Sequence, residues 1–485
     1  MSADYHTIVI GSGSGGFTVA VGLTGLGKRV AVIERAFVGG DCTNVGCVPS
    51  KTLIHLANER DAADGTAAVF RTVREKRDRL RDEEAEQLRQ TEGLDLLFGQ
   101  ARFLDAHRVE VTSADGERRE IGAAHIVIAT GSRPRTLDIP GLPEARTLTN
   151  ERLFEIQEAP QHLAIVGSGS VALEMACAFR KLGSAVTVLS RGDRVLAKAD
   201  PAASAVLGRA LAARGIAIHY GAQPRSYDEA TRTLHATGTG SPVAIPGVDR
   251  VLLAVGRERN SDDLGLERAG VRCEAGGSIP TDPYGHTNVP HIYAIGDVTP
   301  TSHWTHSANA QGRRVVQRIA LPYLPALGDA PLYPQATFSD PEVASVGLTA
   351  EEIGRRYHPK LIRRVRVELR DLDRGYTDEV GPGFVLVDAV RLTGRILGAT
   401  IVGPHAGDMI TLFTLAIARG LSLYSLYRLV FPYPTLSEGL KKVADAYVRE
   451  TLPNIPSELG AYLRYRLAPP RRKARPTGRP VPARS

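Results

Sequence analysis

The sequence predicts an α/β fold with two Rossmann-like dinucleotide-binding units, on two observations. An apolar strand, Ile8-Val9-Ile10, runs into the turn Gly11-Ser12-Gly13-Ser14-Gly15-Gly16. A second, Leu163-Ala164-Ile165-Val166, runs into Gly167-Ser168-Gly169-Ser170-Val171-Ala172. Each turn leads into a helical run and another apolar strand, and the copies share one spacing: Gly11 to Glu34 is the same step as Gly167 to Ser190. Strand, glycine turn, helix and strand in this order place a pyrophosphate at a helix N-terminus.

In the first copy Gly11 allows the tight turn, Gly13 lets backbone approach a pyrophosphate, and Gly16 lets helix and strand pack closely. Its second strand, Val30-Ala31-Val32-Ile33, ends at Glu34, placed to accept hydrogen bonds from a ribose diol. The second copy has Gly167 and Gly169 in the turn. Its next strand ends at Ser190, with Arg191 beside it and Arg194 and Lys198 shortly after. A carboxylate repels a 2′-phosphate, whereas a small polar residue beside arginines accepts one. The first copy therefore suits FAD and the second NADPH in preference to NADH. The other reading of Arg191 and Arg194 is ordinary surface charge.

Just after the first copy comes Gly39-Gly40-Asp41-Cys42-Thr43-Asn44-Val45-Gly46-Cys47-Val48-Pro49-Ser50-Lys51. Thiols five positions apart on one ideal helix are separated by about 7.5 Å along the axis. A disulfide needs its Cα atoms within about 4.4–6.8 Å. Closing this ring takes a distorted turn, which Gly46 permits and Pro49 helps to hold. A strained bridge is easily reduced, so the pair reads as a switch. The alternative is two unrelated buried thiols. With only four cysteines in the chain, a catalytic pair is the favoured reading.

The run 39–51 resembles the redox motif of the class I pyridine nucleotide-disulfide oxidoreductases, which include glutathione reductase, dihydrolipoamide dehydrogenase and mercuric reductase. Ala129-Thr130-Gly131-Ser132-Arg133-Pro134, Ala254-Val255-Gly256-Arg257 with Asn260, and Tyr293-Ala294-Ile295-Gly296-Asp297 resemble the family's later motifs. The run from Thr337 to Gly347 resembles the opening of its dimerisation domain. The resemblance covers about residues 5 to 450. It implies FAD held by Gly11, Gly13, Gly16, Glu34, Gly40, Lys51, Thr130, Gly131 and Asp297. It implies NADPH held by Gly167, Gly169, Ser190, Arg191 and Gly256. Cys42–Cys47 is then the redox-active disulfide, Cys47 the charge-transfer thiolate against the flavin, and Cys42 the interchange thiol. Lys51 faces the flavin, with Glu174 as its partner. A helix is expected from Thr305, its N-terminal dipole toward the flavin, with His306 positional. The implied order is an FAD domain over 1–145, an NAD(P) domain over 146–265, a return to the FAD domain over 266–330, and an α+β dimerisation domain over 331–463. The active site is shared between the subunits of a homodimer.

One departure bears on the substrate. Where glutathione reductase and dihydrolipoamide dehydrogenase carry an acid–base histidine, the run Phe431-Pro432-Tyr433-Pro434-Thr435-Leu436-Ser437-Glu438 has Tyr433, with Glu438 at the family's acid offset. A phenol with a pKa near about 10 is a poor proton shuttle at neutral pH beside an imidazole near about 6.5. The segment resembles that of mercuric reductases, in which a tyrosine assists a soft metal ion held by thiolates. Unlike those enzymes, the chain has no cysteine after Cys273, so the metal must reach Cys42 directly. Cys177 and Cys273 are expected in the core. The electron acceptor is read as a soft metal ion bound transiently by Cys42 and Cys47, with no structural metal site, or as a small disulfide. The alternatives are a dihydrolipoamide dehydrogenase, and a non-catalytic flavin-binding partner protein tethered by its tail.

At 485 residues the chain can form three or four domains. It opens without a signal peptide and has no membrane-spanning run, so a cytoplasmic enzyme is expected. The charged stretch over about 67–92 is expected to be a solvated helix. The net charge of +7 hides a division: 464–485 holds eight lysines and arginines and no acid, which leaves −1 on the body. That Pro-rich tail is expected to be disordered and reads as a solubilising extension, with no nucleic-acid partner.

Overall fold

The computed structural model describes residues 4–59, 65–238, 241–300, 304–323 and 332–469. They fall into two compact units, Met1–Ala197 with Gly208–Tyr333, and Lys198–Leu207 with Pro334–Ser485.

In the first unit the chain opens as β1 (Tyr5–Ile10), α1 (Ser14–Thr24), β2 (Val30–Glu34), α2 (Gly40–Asn44), α3 (Cys47–Glu59), α4 (Thr66–Gln90) and β3 (Leu94–Phe98). A meander follows: β4 (Gln100–Phe103), β5 (Arg108–Thr112) and the long β6 (Arg118–Ile128). β3, β2, β1 and β6 run parallel, and the strand Ile292–Ala294 joins on the far side of β6. Strands buried on both faces read as continuous apolar runs, which is why Ile8-Val9-Ile10 shows no alternation. Ile8, Ile10 and Ile33 pack on the meander side with Phe103 and Val109, whereas Val9, Val30 and Val32 pack with Val19 and Leu23 of α1. Each such side chain contributes about 1.5–3 kcal/mol by burial.

The second parallel sheet is built wholly from 147–253. Its order is Ala217–Tyr220, Ala185–Ser190, His162–Val166, Arg250–Leu253, Thr147–Leu148. The helix Ser170–Lys181 follows its glycine turn, as Ser14–Thr24 follows the first. Two short antiparallel strands, Ser132–Pro134 and Arg257–Arg259, tie the passage out of the first sheet to the passage out of the second. The helix Thr305–Ala320 packs on α1: a Cβ at Gly312 would come 2.8 Å from the Gly15 carbonyl, and Asn309 donates to Thr18 Oγ1 at 2.8 Å.

The second unit is a five-stranded antiparallel sheet in the order Gln335–Thr337, Val343–Gly347, Ile396–Val402, Phe384–Val390, Ile362–Glu368. The two strands between Val343–Gly347 and Ile362–Glu368 are buried throughout. The helices Ala406–Ala418 and Glu438–Thr451 pack on the sheet. A final helix, Ile455–Tyr465, is held by Glu458, 2 % exposed, which accepts from Arg363 at 2.5 Å and Arg391 at 2.8 Å.

The charged stretch over 67–92 forms α4, with Arg79–Glu83 paired one turn apart. Cys177 is buried in the helix Ser170–Lys181, but Cys273 is exposed in irregular chain, which corrects its expected core placement. Its neighbours Arg272 and Glu274 give no apolar face for a strand to bury. Of the tail expected over 464–485, Arg464 and Tyr465 close the last helix; 470–485 lie outside the described residues. Among the described residues no helix is long and apolar enough to cross a membrane.

Candidate active site

The cysteines do not share a helix. Cys42 lies in α2 and Cys47 opens α3, with the break at Val45 and Gly46. Gly46 is required by close approach rather than by its dihedrals: a Cβ there would sit 2.7 Å from the Asp41 carbonyl. Before the pair, Gly39 and Gly40 both have positive φ (89° and 58°), and a Cβ on Gly40 would come 2.7 Å from Gly13 Cα. Only glycine takes this conformation and this contact together, so the cysteine turn sits directly against the first dinucleotide turn. Three further bonds secure it. Asn44, buried, donates to Val38 O at 2.8 Å and Gly40 O at 2.9 Å, and Thr43 donates to Glu84 of α4 at 2.9 Å.

The expected Cys42–Cys47 bridge is open, and both side chains are free thiols. They are hydrogen-bonded to each other, and the pair is electrically asymmetric. Cys47 is brought down to about 6, chiefly by the bond from Cys42, then by Thr305 Oγ1 at 3.2 Å and by the Lys51 ammonium. Cys42 is pushed up because its proton is committed to that bond, with burial adding to the effect. The asymmetry makes Cys47 the more acidic sulfur and leaves the shared proton on Cys42. Lys51 lies one turn beyond Cys47, and its Nζ meets Glu174 Oε2 at 2.8 Å; Glu174 is 4 % exposed. A carboxylate this buried needs a cation, and Lys51 supplies it from across the helix pair.

These groups face a cleft of about 1340 Å³ lined also by Gly11, Gly13, Glu34, Gly40, Thr130, Gly131, Asp297, Gly169 and Gly256. Glu34, 8 % exposed, closes β2, with Ser12 N and Oγ donating to one oxygen at 2.9 and 2.7 Å and Ala36 N to the other at 3.0 Å. Asp297 accepts from Ser132 Oγ at 2.6 Å; Arg257 donates to that hydroxyl at 2.6 Å and pairs with Asp41. A Cβ at Gly131 or Gly256 would meet nothing within 4 Å, so bare backbone faces the open space. The N-terminus of α1, where Gly13, Ser14 and Gly15 line the cleft, with carboxylates at Glu34 and Asp297, fits an FAD molecule: pyrophosphate on the amides, ribose and ribityl hydroxyls on the acids.

Four of the expected nucleotide-binding residues do not line this cleft. Gly16 is interior, where a Cβ would run into the Gly11 carbonyl, and Gly167 turns against Ala254. Ser190 is fully buried, its hydroxyl 2.9 Å from Ser168 Oγ, as Glu34 is bonded to Ser12 in the first copy, and Arg191 beside it is exposed.

In the second unit Tyr433 is 69 % exposed and its phenol donates to Asp373 Oδ2 at 2.6 Å. That bond raises its pKa. Glu438, read from the sequence as the matching acid, instead pairs with Lys442 at 3.4 Å. Sequence reasoning missed Asp373, sixty positions upstream, and no local signal marks it. It also missed the Asp41–Arg257 pair and the Thr305–Cys47 contact, although each residue stood in a segment already singled out.

The comparisons with known proteins agree with this geometry. Residues 5–312 match the pyridine nucleotide-disulphide oxidoreductase family, and 333–444 match its dimerisation domain. The chain belongs to that family. It is an FAD-dependent oxidoreductase that works with a nicotinamide nucleotide. A mercuric reductase of Streptomyces lividans is 34 % identical over 467 residues, 92 % of this chain and 97 % of the relative. The dihydrolipoyl dehydrogenase 3 of Haloarcula marismortui is 32 % identical over 461 residues, 90 % and 95 % of the two chains. Among solved structures, the Cu(II) complex of the HOCl-induced flavoprotein disulfide reductase RclA from Escherichia coli superposes with a TM-score of 0.83 at 28 % identity, covering 92 % of this chain and all of that one.

Proposed function

We propose that the enzyme is a homodimer that passes electrons from NADPH through Cys42 and Cys47 to a thiophilic metal ion. The observation that carries the reading is the asymmetric dithiol: a depressed thiolate at Cys47 beside Lys51 and Thr305, and a proton-bearing thiol at Cys42. FAD, when bound, supplies the two-electron relay between nicotinamide and sulfur. The protein's own residues do the rest. Lys51, anchored by Glu174, and Thr305 hold Cys47 as thiolate. Cys42 releases its proton to bind the incoming metal, since soft thiolates select soft cations. Arg191 takes the 2′-phosphate of the nucleotide. Tyr433 reaches the thiols from the partner chain.

The balance is NADPH + Hg(II) → NADP⁺ + H⁺ + Hg(0), or, for a one-electron acceptor, NADPH + 2 Cu(II) → NADP⁺ + H⁺ + 2 Cu(I). Tyr433 in place of an imidazole, together with relatives named for mercury reduction and a neighbour solved with Cu(II), favours a metal over a disulfide. An acceptor screen on the purified holoenzyme decides it, comparing Hg(II), Cu(II), lipoamide, glutathione disulfide and quinones by NADPH consumption. Metal-dependent turnover that is lost in Cys42→Ser is expected. Turnover of lipoamide at the rate of an ordinary family dehydrogenase, with none for either metal, would replace this reading with the dihydrolipoamide one.

A further inference from the structure

We propose that Asp373 is a positioning residue that turns the Tyr433 oxygen into an acceptor for metal cations. The inference rests on the metal-reductase reading above and deepens it.

The phenol donates its hydrogen to Asp373 Oδ2 at 2.6 Å, so the lone pairs of its oxygen face away from the carboxylate. Tyr433 is 69 % exposed in the single chain, which leaves it free to meet what the partner chain brings to it. An oxygen presented in this way can ligate a cation. It cannot hand a proton to a leaving thiolate, because the proton is already engaged. Thiol–disulfide exchange needs the second ability and metal capture the first.

Charge acts in the same direction. Among the described residues Asp373 has no ion pair. The two arginines nearest to it in sequence are engaged elsewhere, Arg374 with Asp378 at 2.6 Å and Arg370 with Asp371 at 3.9 Å. The carboxylate's negative charge therefore stands directly behind the phenol oxygen. A neutral oxygen backed by an anion discriminates by charge, favouring a divalent cation over an uncharged disulfide.

The test uses the full-length holoenzyme with Cu(II) and Hg(II) supplied as salts without added thiol, and lipoamide as the uncharged acceptor. Asp373→Asn keeps size and acceptor and removes the charge. It should lower the ratio of kcat/KM for the metals to that for lipoamide by about tenfold, through KM rather than kcat. Asp373→Glu should restore at least half of that loss. Because Asp373 acts through the tyrosine, Asp373→Asn with Tyr433→Phe should be no worse than Tyr433→Phe alone. Metal turnover by the unmodified enzyme with an unchanged ratio in Asp373→Asn overturns the role of Asp373 and leaves the metal reading standing. Additive losses in the double variant also overturn it. No metal turnover by the unmodified enzyme overturns both.

Discussion

Thr305→Val isolates one of the three groups that hold Cys47 as a thiolate. The substitution is nearly isosteric and removes only the hydroxyl that lies 3.2 Å from the Cys47 sulfur. A hydrogen bond to a charged group is worth about 1.5–3 kcal/mol, and one pKa unit is about 1.4 kcal/mol. Its loss therefore raises Cys47 by about one to two units from the present value of about 6. The sign follows from charge: the bond favours the thiolate, so removing it favours the thiol. At pH 7 the thiolate fraction drops from about nine-tenths to about one-quarter for a shift of about 1.5 units. The assay is the pH midpoint of the long-wavelength thiolate-to-flavin absorbance in the two-electron-reduced enzyme. The unmodified protein should give a midpoint near 6, Thr305→Val one near about 7–8, and Thr305→Ser, which keeps the hydroxyl, one close to the original. Cys47→Ser should have no band at all. A midpoint in Thr305→Val within about 0.3 units of the unmodified protein, with unchanged thermal stability, refutes the argument. Cys42 and Lys51 would then account for the whole depression.

Three further outcomes are expected. NADPH should exceed NADH in kcat/KM by at least about tenfold, worth ~1.4 kcal/mol for one charge-assisted phosphate contact, and Arg191→Glu should reverse the order; equal use of both nucleotides by the unmodified enzyme removes Arg191 from the site. Tyr433→His should raise thiol–disulfide turnover by about 10²-fold or more, with Asp373 in reach to orient the imidazole; no gain would mean that proton transfer is not what limits that reaction. Glu458→Ala should cost about 3 kcal/mol in chemical denaturation, because it removes the buried carboxylate shared by Arg363 and Arg391 and leaves Arg363 only Glu450. A loss below about 1 kcal/mol would show that both guanidiniums rehydrate freely.

Much of this protein is legible in one dimension because its chemistry is carried by short stretches of backbone. A pyrophosphate cradle is a strand, a turn and a helix start, so both copies announce themselves through glycine spacing and flanking apolar runs. The cysteine turn is equally local: thirteen consecutive residues, from Gly39 to Lys51, contain the kink, both sulfurs and the lysine. What could not be read there depends on side chains brought together from distant positions. Lys51 and Glu174 are 123 residues apart, Cys47 and Thr305 are 258, and Tyr433 and Asp373 are 60. Ser190 ends its strand where the spacing puts it, but its hydroxyl contact with Ser168, 22 positions upstream, is visible only in the fold. Glu438 looked like the tyrosine's partner because its offset matched, yet the folded chain offers Lys442 to the glutamate and Asp373 to the phenol. The sequence by itself determined the two nucleotide folds, the redox pair and the replacement of histidine by tyrosine. Tertiary structure decided which sulfur is the more acidic and the partner of that tyrosine, because hydrogen bonds and Coulomb forces act through space and follow the fold rather than the order of residues.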